Sequence, residues 1–256
     1  MKILSALFPL FALSAVSSLD HHPHQPYTTI ITSMRFLVLV AGTNDPSNAD
    51  YLADRFIDGI KTVPGAEVDK VRLKDMPLPH FQVQDYACGR QGPEFDRVRG
   101  LIQSANGIVI ASPVWNFSVP SHLKNFIDHI GCFALDAETR SKGQLKGVPC
   151  FCLFTGGAPT VAWRGLMRFT TMHVCESMRY FGASPAGTHF EGKCTKGKGR
   201  FGLILDQRPE VQVVMKNKGK KFALVAEHFA KTGQLPLSYR IIAKLYGWGQ
   251  RILAKF

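Results

Sequence analysis

Short apolar runs alternate with amphipathic stretches along most of the chain, and this alternation restricts the fold more than any other feature. The apolar run 107–111 is followed by Pro113 and Pro120. Proline cannot donate a backbone hydrogen bond, so it ends a strand and suits the first turn of a helix. Apolar residues then recur at helical spacing, at Leu123, Phe126, Ile127 and Ile130. This part of the chain therefore predicts a strand, a loop and a helix.

The same unit recurs along the chain. Predicted strands near 37–41, 68–73, 148–154 and 184–190 alternate with helical patterns near 49–60, 95–105 and 163–174. Strands that alternate with helices at this spacing predict an α/β fold with a parallel sheet, right-handed crossovers and helices on both faces. Five strands fit the order 2-1-3-4-5, in which ligands bind at the carboxyl ends of the strands.

Composition limits the classes of protein that need to be considered. The 256 residues are 45% hydrophobic, enough for one substantial core, and the formal net charge is +12. A positive charge favours anionic partners in general without naming one, and we expect no nucleic-acid partner. The six cysteines lack a C-x-x-C pair, so we expect no metal site.

The amino terminus is open to two interpretations. Lys2 precedes an apolar stretch, 3–16, that is too short to span a bilayer, and residues 15–17 resemble a signal-peptide cleavage site. Met34, however, stands directly before the first predicted strand. We therefore divide the chain into a signal-like or over-extended segment at 1–33, a domain at 34–232 and a basic tail at 233–256.

The tail at 233–256 contains basic residues and no acidic one. A helix from about Ser238 would place basic residues on one face and apolar residues on the other. The basic residues are Arg240, Lys244, Arg251 and Lys255, and the apolar ones are Ile241, Leu245, Trp248, Ile252 and Phe256. Such a helix could lie on an anionic membrane surface. Alternatively, it packs on the domain or on a partner subunit with its charges in water.

The turn after the first predicted strand is a candidate phosphate site. The backbone N–H groups at the start of the next helix are free, and the helix dipole favours an anion there. Thr43, Ser47 and Asn48 add short neutral donors at the same place. Alternatively, Ser47 or Asn48 only caps the helix.

Two further loops should reach the same edge of the sheet. In residues 113–117, Trp115 and Phe117 can flank a planar ring, and Asn116 can bond its polar atoms. Aromatic residues in such a loop otherwise belong to the core or to an interface. Thr155, Gly156 and Gly157 follow the fourth strand, where glycine lets the backbone approach a flat ligand.

The segments AGTNDPSN, SPVWNFSVPSHLKNFID and LFTGG resemble motifs of the flavodoxin-like NAD(P)H-dependent FMN reductases, especially quinone and azo reductases. The resemblance covers about 34–231 and implies a flavodoxin-like fold. It assigns cofactor-binding roles to Thr43, Ser47, Asn48, Pro113, Val114, Trp115, Asn116, Phe117, Thr155, Gly156 and Gly157. Trp115 replaces the usual tyrosine of the family, and the phosphate loop has fewer serines than is usual.

The resemblance implies hydride transfer from NAD(P)H through bound FMN to quinone, azo or flavin acceptors, and it implies a homodimer. No catalytic side chain and no metal are implied, because the flavin carries the chemistry. His122 and His129 are expected to be surface or core residues. The alternatives are a flavin-binding electron carrier or redox regulator, and a flavodoxin-like interaction domain without turnover.

The resemblance also favours a cytoplasmic location. FMN proteins usually acquire the cofactor in the cytosol, and a twin-arginine leader for export of a folded protein is not seen. In a eukaryotic secretory route, the sequence Asn116-Phe117-Ser118 would be a glycosylation site within the proposed flavin loop. Export remains the alternative if the signal-like segment is genuine.

Overall fold

A five-stranded parallel sheet forms the centre of the protein. In the computed structural model, which describes residues 33–87, 91–197 and 202–253, the strand order is β2-β1-β3-β4-β5. The strands are β1 (Met34–Val40), β2 (Ala66–Arg72), β3 (Gly107–Pro113), β4 (Pro149–Thr155) and β5 (Ser184–Glu191). The predicted order 2-1-3-4-5 and the parallel pairing are confirmed.

Helices cover both faces of the sheet, as predicted. They are α1 (Asn48–Ile60), α2 (Pro93–Ser104), α3 (Ser121–Ala134), α4 (Thr160–Arg164), α5 (Phe169–Tyr180), α6 (Pro209–Thr232) and α7 (Leu237–Leu253). Side chains of α1 and α6 form one core with one face of the sheet, and those of α2, α3 and α5 form a second core with the other. The central strands β1, β3 and β4 are therefore apolar on both faces, whereas β2 and β5 at the edges are partly exposed.

The helix predicted after the fourth strand is the main difference from expectation. The stripe from Trp163 to Val174 suggested one helix, but α4 ends at Arg164 and α5 begins at Phe169, with a 3₁₀ turn at Leu166–Arg168 between them. The ring of Trp163 stacks on Phe190 of β5 with 5.0 Å between centroids. Packing against the edge strand therefore fixes Trp163, and the chain changes direction after it.

The structure describes most of the carboxyl-terminal tail but almost none of the amino-terminal segment. Segment 1–33 lies outside the described residues except for Ser33. In the tail, α7 covers Leu237–Leu253, so the helix considered from about Ser238 is present. The predicted domain boundaries stay predictions. Among the described residues, no helix is both long and apolar enough to cross a membrane.

Two glycines allow α1 and α6 to pack with their backbones in contact. A Cβ atom added to Gly219 would overlap the carbonyl oxygen of Phe56, and one added to Gly59 would overlap the carbonyl oxygen of Lys216. Because both obstacles are backbone atoms, no side-chain rotation can relieve the overlap. The seam between α1 and α6 therefore depends on glycine at both positions.

We expect Gly219→Ala to lower the free energy of unfolding by about 1–3 kcal/mol or more, because the two helices must move apart. Gly100→Ala is the matched control, since Gly100 lies in α2 and a Cβ there meets nothing within 4 Å. The control should raise stability by about 0.5–1 kcal/mol through helix propensity. Urea unfolding followed by circular dichroism measures both. Equal stability of the two variants would contradict the close packing.

Candidate active site

One cleft opens at the carboxyl edge of the sheet and encloses about 250 Å³. Its lining consists of Thr43, Asn44, Ser47, Asn48, Ala49, Pro113, Val114, Trp115, Asn116, Thr155, Gly156, Gly157, Cys194 and Thr195. Every predicted cofactor-binding residue except Phe117 is in this set. The fold brings them together because the chain leaves β1 towards α1 on one face and leaves β3 towards α3 on the other. A crevice forms where adjacent connections diverge in this way.

The first loop caps α1 and also lines the cleft. Oγ of Ser47 accepts a hydrogen bond from the Asp50 N–H at 3.4 Å, so the expected capping role is present. A hydroxyl that accepts one hydrogen bond keeps its own hydrogen for donation. Ser47 can therefore cap the helix and still donate to a ligand. The hydroxyl of Thr43 is exposed and makes only a long hydrogen bond, 3.5 Å, to Oδ1 of Asn44. The two interpretations of this loop are compatible.

The side chain of Asn48 has a structural partner that the sequence did not reveal. Its Nδ2 donates to the carbonyl oxygen of Gly202 at 2.8 Å, and its Oδ1 accepts from the N–H groups of Ile204 and Leu205 at 3.0 and 3.2 Å. These bonds hold the segment after β5 against the start of α1. The amide of Asn48 is thus committed to the protein, and its backbone N–H is what it can offer to an anion.

The loop after β3 is a tight two-residue turn. The N–H of Trp115 donates to the Ser118 carbonyl at 2.7 Å, and the N–H of Ser118 donates to the Trp115 carbonyl at 2.8 Å. Asn116 and Phe117 between them have φ values of 46° and 60°, the pattern of a type I′ turn. Trp115 and Asn116 consequently face the cleft, whereas the side chain of Phe117 is 73% exposed and does not line it.

Neighbouring side chains leave little room for a Cβ atom at the glycines of the third loop. A Cβ on Gly156 would come within 2.9 Å of the Phe190 ring, and one on Gly157 within 3.1 Å of Thr195 Cγ2. The loop is also tied to β5 and the segment after it, because Gly156 donates to the Glu191 carbonyl and accepts from the Cys194 N–H. Glycine lets this backbone lie directly on the cleft wall.

The cleft is lined by neutral groups. Among the described residues, no Asp, Glu, Lys or Arg lines it. Burial raises the pKa of the Cys194 thiol to about 11, so this thiol stays uncharged at neutral pH. An anion bound here would be held by the amino end of α1 and by hydroxyl and N–H donors.

A sequence model of the family described as NADPH-dependent FMN reductase matches residues 34–179, more than half of the chain. The chain belongs to this family. The assignment confirms the predicted family, the oxidoreductase class and FMN with NAD(P)H as cofactors.

Curated relatives are similar over part of the chain. An FMN-dependent NADH:quinone oxidoreductase of Bordetella parapertussis is 29% identical over 142 residues, which are 48% of this chain and 68% of that protein. A protein of the same description from Mycoplasma genitalium is 28% identical over 169 residues, 62% of this chain and 83% of that protein.

Solved structures support the fold. An FMN-dependent NADH-azoreductase from Bacillus anthracis in complex with FMN has a TM-score of 0.53 at 16% identity, with 77% of this chain and 99% of that chain covered. The NAD(P)H:quinone oxidoreductase from Methanothermobacter marburgensis has a TM-score of 0.55 at 16% identity, with 74% and 96% covered. At this identity the likeness shows the flavodoxin-like fold alone.

The two histidines of α3 differ in their surroundings. His129 is buried, contacts the rings of Phe81 and Phe95 edge to face, and places Nε2 3.0 Å from the Pro79 carbonyl oxygen. It is a core residue. His122 is half-buried beside the turn at Trp115 and Asn116, and burial lowers its pKa.

Sequence reasoning missed Asn44, Ala49, Cys194 and Thr195, all of which line the cleft. Cys194 and Thr195 lie in the basic, glycine-rich stretch after β5. The signal that could have found them is topological: β5 is parallel to β4, so the chain that leaves it emerges at the same edge as the other cleft loops.

Proposed function

We propose that this protein binds FMN in the cleft at the carboxyl edge of the sheet and uses it to reduce quinone or azo acceptors with NAD(P)H. The observation that carries the proposal is the convergence of the loops after β1, β3 and β4 on one neutral cleft. Free flavin is a further acceptor to be tested. The acceptors follow from what the relatives are called, quinone oxidoreductases and azoreductases.

The residues present fit FMN. For the phosphate, the cleft offers the hydroxyls of Thr43 and Ser47 and the amino end of α1. For the ring it offers the Trp115 side chain, the Asn116 amide and the backbone at Gly156 and Gly157. Glycine at the wall leaves room for a flat ligand. The turn directs the side chain of Phe117 outward. We therefore do not assign Phe117 to the FMN contacts made within the cleft of one chain.

The protein's contribution is binding and orientation. The chemistry that FMN supplies when bound is hydride transfer from NAD(P)H to an acceptor. Trp115 limits the position of a ring in the cleft and excludes water from one side of it, and Asn116 provides a directional hydrogen-bonding group. We assign no acid, base or nucleophile among the side chains.

The test begins with protein purified in the presence of FMN. We expect a bound-flavin absorption spectrum and flavin-dependent oxidation of NADPH or NADH when a quinone is added. Asn116→Gly keeps the left-handed turn but removes the amide, so the Kd for FMN should rise about tenfold, the effect of one lost hydrogen bond. Lys146→Gly is the control, because Lys146 also has positive φ, 50°, but lies before β4 at the opposite edge.

The outcomes separate the three functions considered. Bound flavin without NAD(P)H oxidation would support an electron carrier or redox regulator instead. Absence of bound flavin would support an interaction domain. An unchanged Kd in Asn116→Gly would contradict the proposed role of the turn after β3 while leaving the reductase itself in place.

We further propose a homodimer. Exposed apolar side chains follow the third cleft loop directly, at Val161 (79%), Leu166 (83%) and Phe169 (60%). A second copy that covered this patch would adjoin the cleft wall at Gly157. Leu166→Glu should give a monomer in sedimentation velocity, whereas Val213→Glu, at an exposed site on α6, should stay dimeric; a monomeric wild type would refute the dimer.

We propose that α7 contacts an anionic membrane surface. Leu237, Ile241, Ile242, Leu245 and Trp248 of this helix are each exposed, from 49% to 67%, so these side chains do not pack on the domain. Arg240, Lys244 and Arg251 lie on the same helix, and the tail has no acidic residue. Exposed apolar side chains next to cations match an interface of anionic lipid better than a second copy of a chain with net charge +12.

Vesicle sedimentation tests this contact. We expect binding to vesicles with phosphatidylserine, weaker binding to neutral phosphatidylcholine, and release at high salt because lipid charge is screened. Ile241→Asp with Leu245→Asp should abolish binding, and Leu224→Asp on α6 should not. Equal binding to both kinds of vesicle, or none, would contradict the proposal.

We also propose a cytoplasmic location. Asn116 of the sequon lines the cleft, and a glycan there would occupy the space assigned to FMN. Mass spectrometry of protein from its native source would show Asn116 unmodified; a glycan on Asn116 would favour export.

A further inference from the structure

Strand β4 and helix α5 bring two thiols together in the core. The Sγ atoms of Cys152 on β4 and Cys175 on α5 are 3.1 Å apart and hydrogen bonded. Both cysteines are free thiols. They are 23 positions apart in the sequence, so the fold and not the local chain creates this contact.

The two thiols differ in access to solvent. Cys152 is 1% exposed, whereas Cys175 is half-buried and lies 3.5 Å from the hydroxyl of Thr188. Thr188 is an exposed residue of β5, the edge strand. A small oxidant arriving from this edge therefore meets Cys175 first, with Cys152 behind it.

The pKa values of the two thiols also favour Cys175 as the more reactive one. The hydrogen bond shared with Cys152 lowers the pKa of Cys175; burial opposes this shift, and the contact with Thr188 adds to it. The hydrogen bond to Cys175 together with burial raises the pKa of Cys152. The thiolate is the form of cysteine that reacts with peroxide. Cys175 is consequently suited to attack the peroxide, and Cys152 is suited to react with the oxidised Cys175 that results.

Cys150 provides an internal comparison. It lies two residues before Cys152 on β4 and is also buried, at 1% exposure, and burial raises the pKa of its thiol. No hydrogen bond joins its Sγ to another thiol among the described contacts. A buried cysteine that serves only as a small apolar side chain has these properties, and Cys152 differs from it by the direct contact with Cys175.

We propose that Cys175 and Cys152 are a peroxide-reactive pair that forms a reversible intramolecular disulfide. In the first step, the Cys175 thiolate attacks one oxygen of hydrogen peroxide, the O–O bond breaks, and Cys175 sulfenic acid forms while hydroxide leaves and takes up a proton as water. In the second step, Cys152 sulfur attacks the Cys175 sulfur, the S–O bond breaks, and the hydroxyl leaves with the Cys152 proton as a second water. A dithiol reductant returns both thiols.

The cross-link would close a loop of the chain that includes part of the cleft wall. The closed loop runs from β4 through Thr155–Gly157 and α4 to α5, so it contains the third cleft loop and the exposed patch after it. A disulfide stabilises chiefly by restricting the unfolded chain. We therefore expect oxidation to raise the Tm of the protein, and this expectation does not depend on the reductase activity.

The experiment is peptide mapping of the FMN-loaded protein after brief exposure to hydrogen peroxide. The wild type should lose two hydrogens and give one cross-linked peptide joining Cys152 to Cys175, which dithiothreitol cleaves. Cys152→Ala should instead stop at Cys175 sulfenic acid, which dimedone traps. Cys150→Ala is the matched control and should form the same cross-link as the wild type.

Three results would overturn the proposal. They are a wild-type map without the cross-link, a sulfinic acid on Cys175 as the main wild-type product, and loss of the cross-link in Cys150→Ala with the fold intact by circular dichroism. The wild-type map decides the question even if a variant does not fold.

Discussion

The parallel pairing of β1 with β3 at the centre of the sheet is the constraint on which the site depends. Five consecutive residue pairs, from Phe36↔Gly107 to Val40↔Ala111, fix this register. The strand that follows β1 in sequence, β2, and the strand that follows β3, β4, lie on opposite sides of this pair, so the connections leave to opposite faces. A crevice at their carboxyl ends is a geometric consequence. Both strands must then be apolar on both faces, which explains the uninterrupted apolar runs in the sequence.

The cleft is completed by contacts that cross long distances in sequence. Asn48 bonds Gly202, Ile204 and Leu205, and Gly156 bonds Glu191 and Cys194. The first and third loops are thus both attached to the segment that follows β5. Such attachment holds loops in place before a ligand arrives, which reduces the entropy lost on binding. The walls of the cleft owe their position to these bonds as much as to the strands.

The spacing of apolar residues in the sequence predicted the features that depend on the secondary structure of each segment. The strand order, the helices on both faces and the grouping of Thr43, Trp115 and Gly156 at one edge follow from apolar spacing and from the rule for parallel sheets. The amide partners of Asn48, the outward direction of Phe117 and the break between α4 and α5 do not. Each depends on a tertiary contact or a turn geometry that spacing does not encode. The binding roles themselves stay predictions, because geometry alone places residues without showing what they bind.

Helices α6 and α7 carry part of the excess positive charge of the protein, and in the part of the chain that the structure describes no charged side chain lines the cleft. The cleft is lined by neutral groups, whereas α6 carries Lys216, Lys218, Lys220 and Lys221 and α7 carries further cations. Helix α6 starts after β5 at the carboxyl edge and, near its other end, Phe229 approaches Gly147, just before β4 at the amino edge. Helix α7 therefore begins at the edge opposite the cleft. A protein held to an anionic surface by the start of α7 would therefore keep its cleft accessible from water. Neutral donors at the amino end of α1 can hold a phosphate in the cleft, and the cations of α6 and α7 are then available to a separate anionic partner.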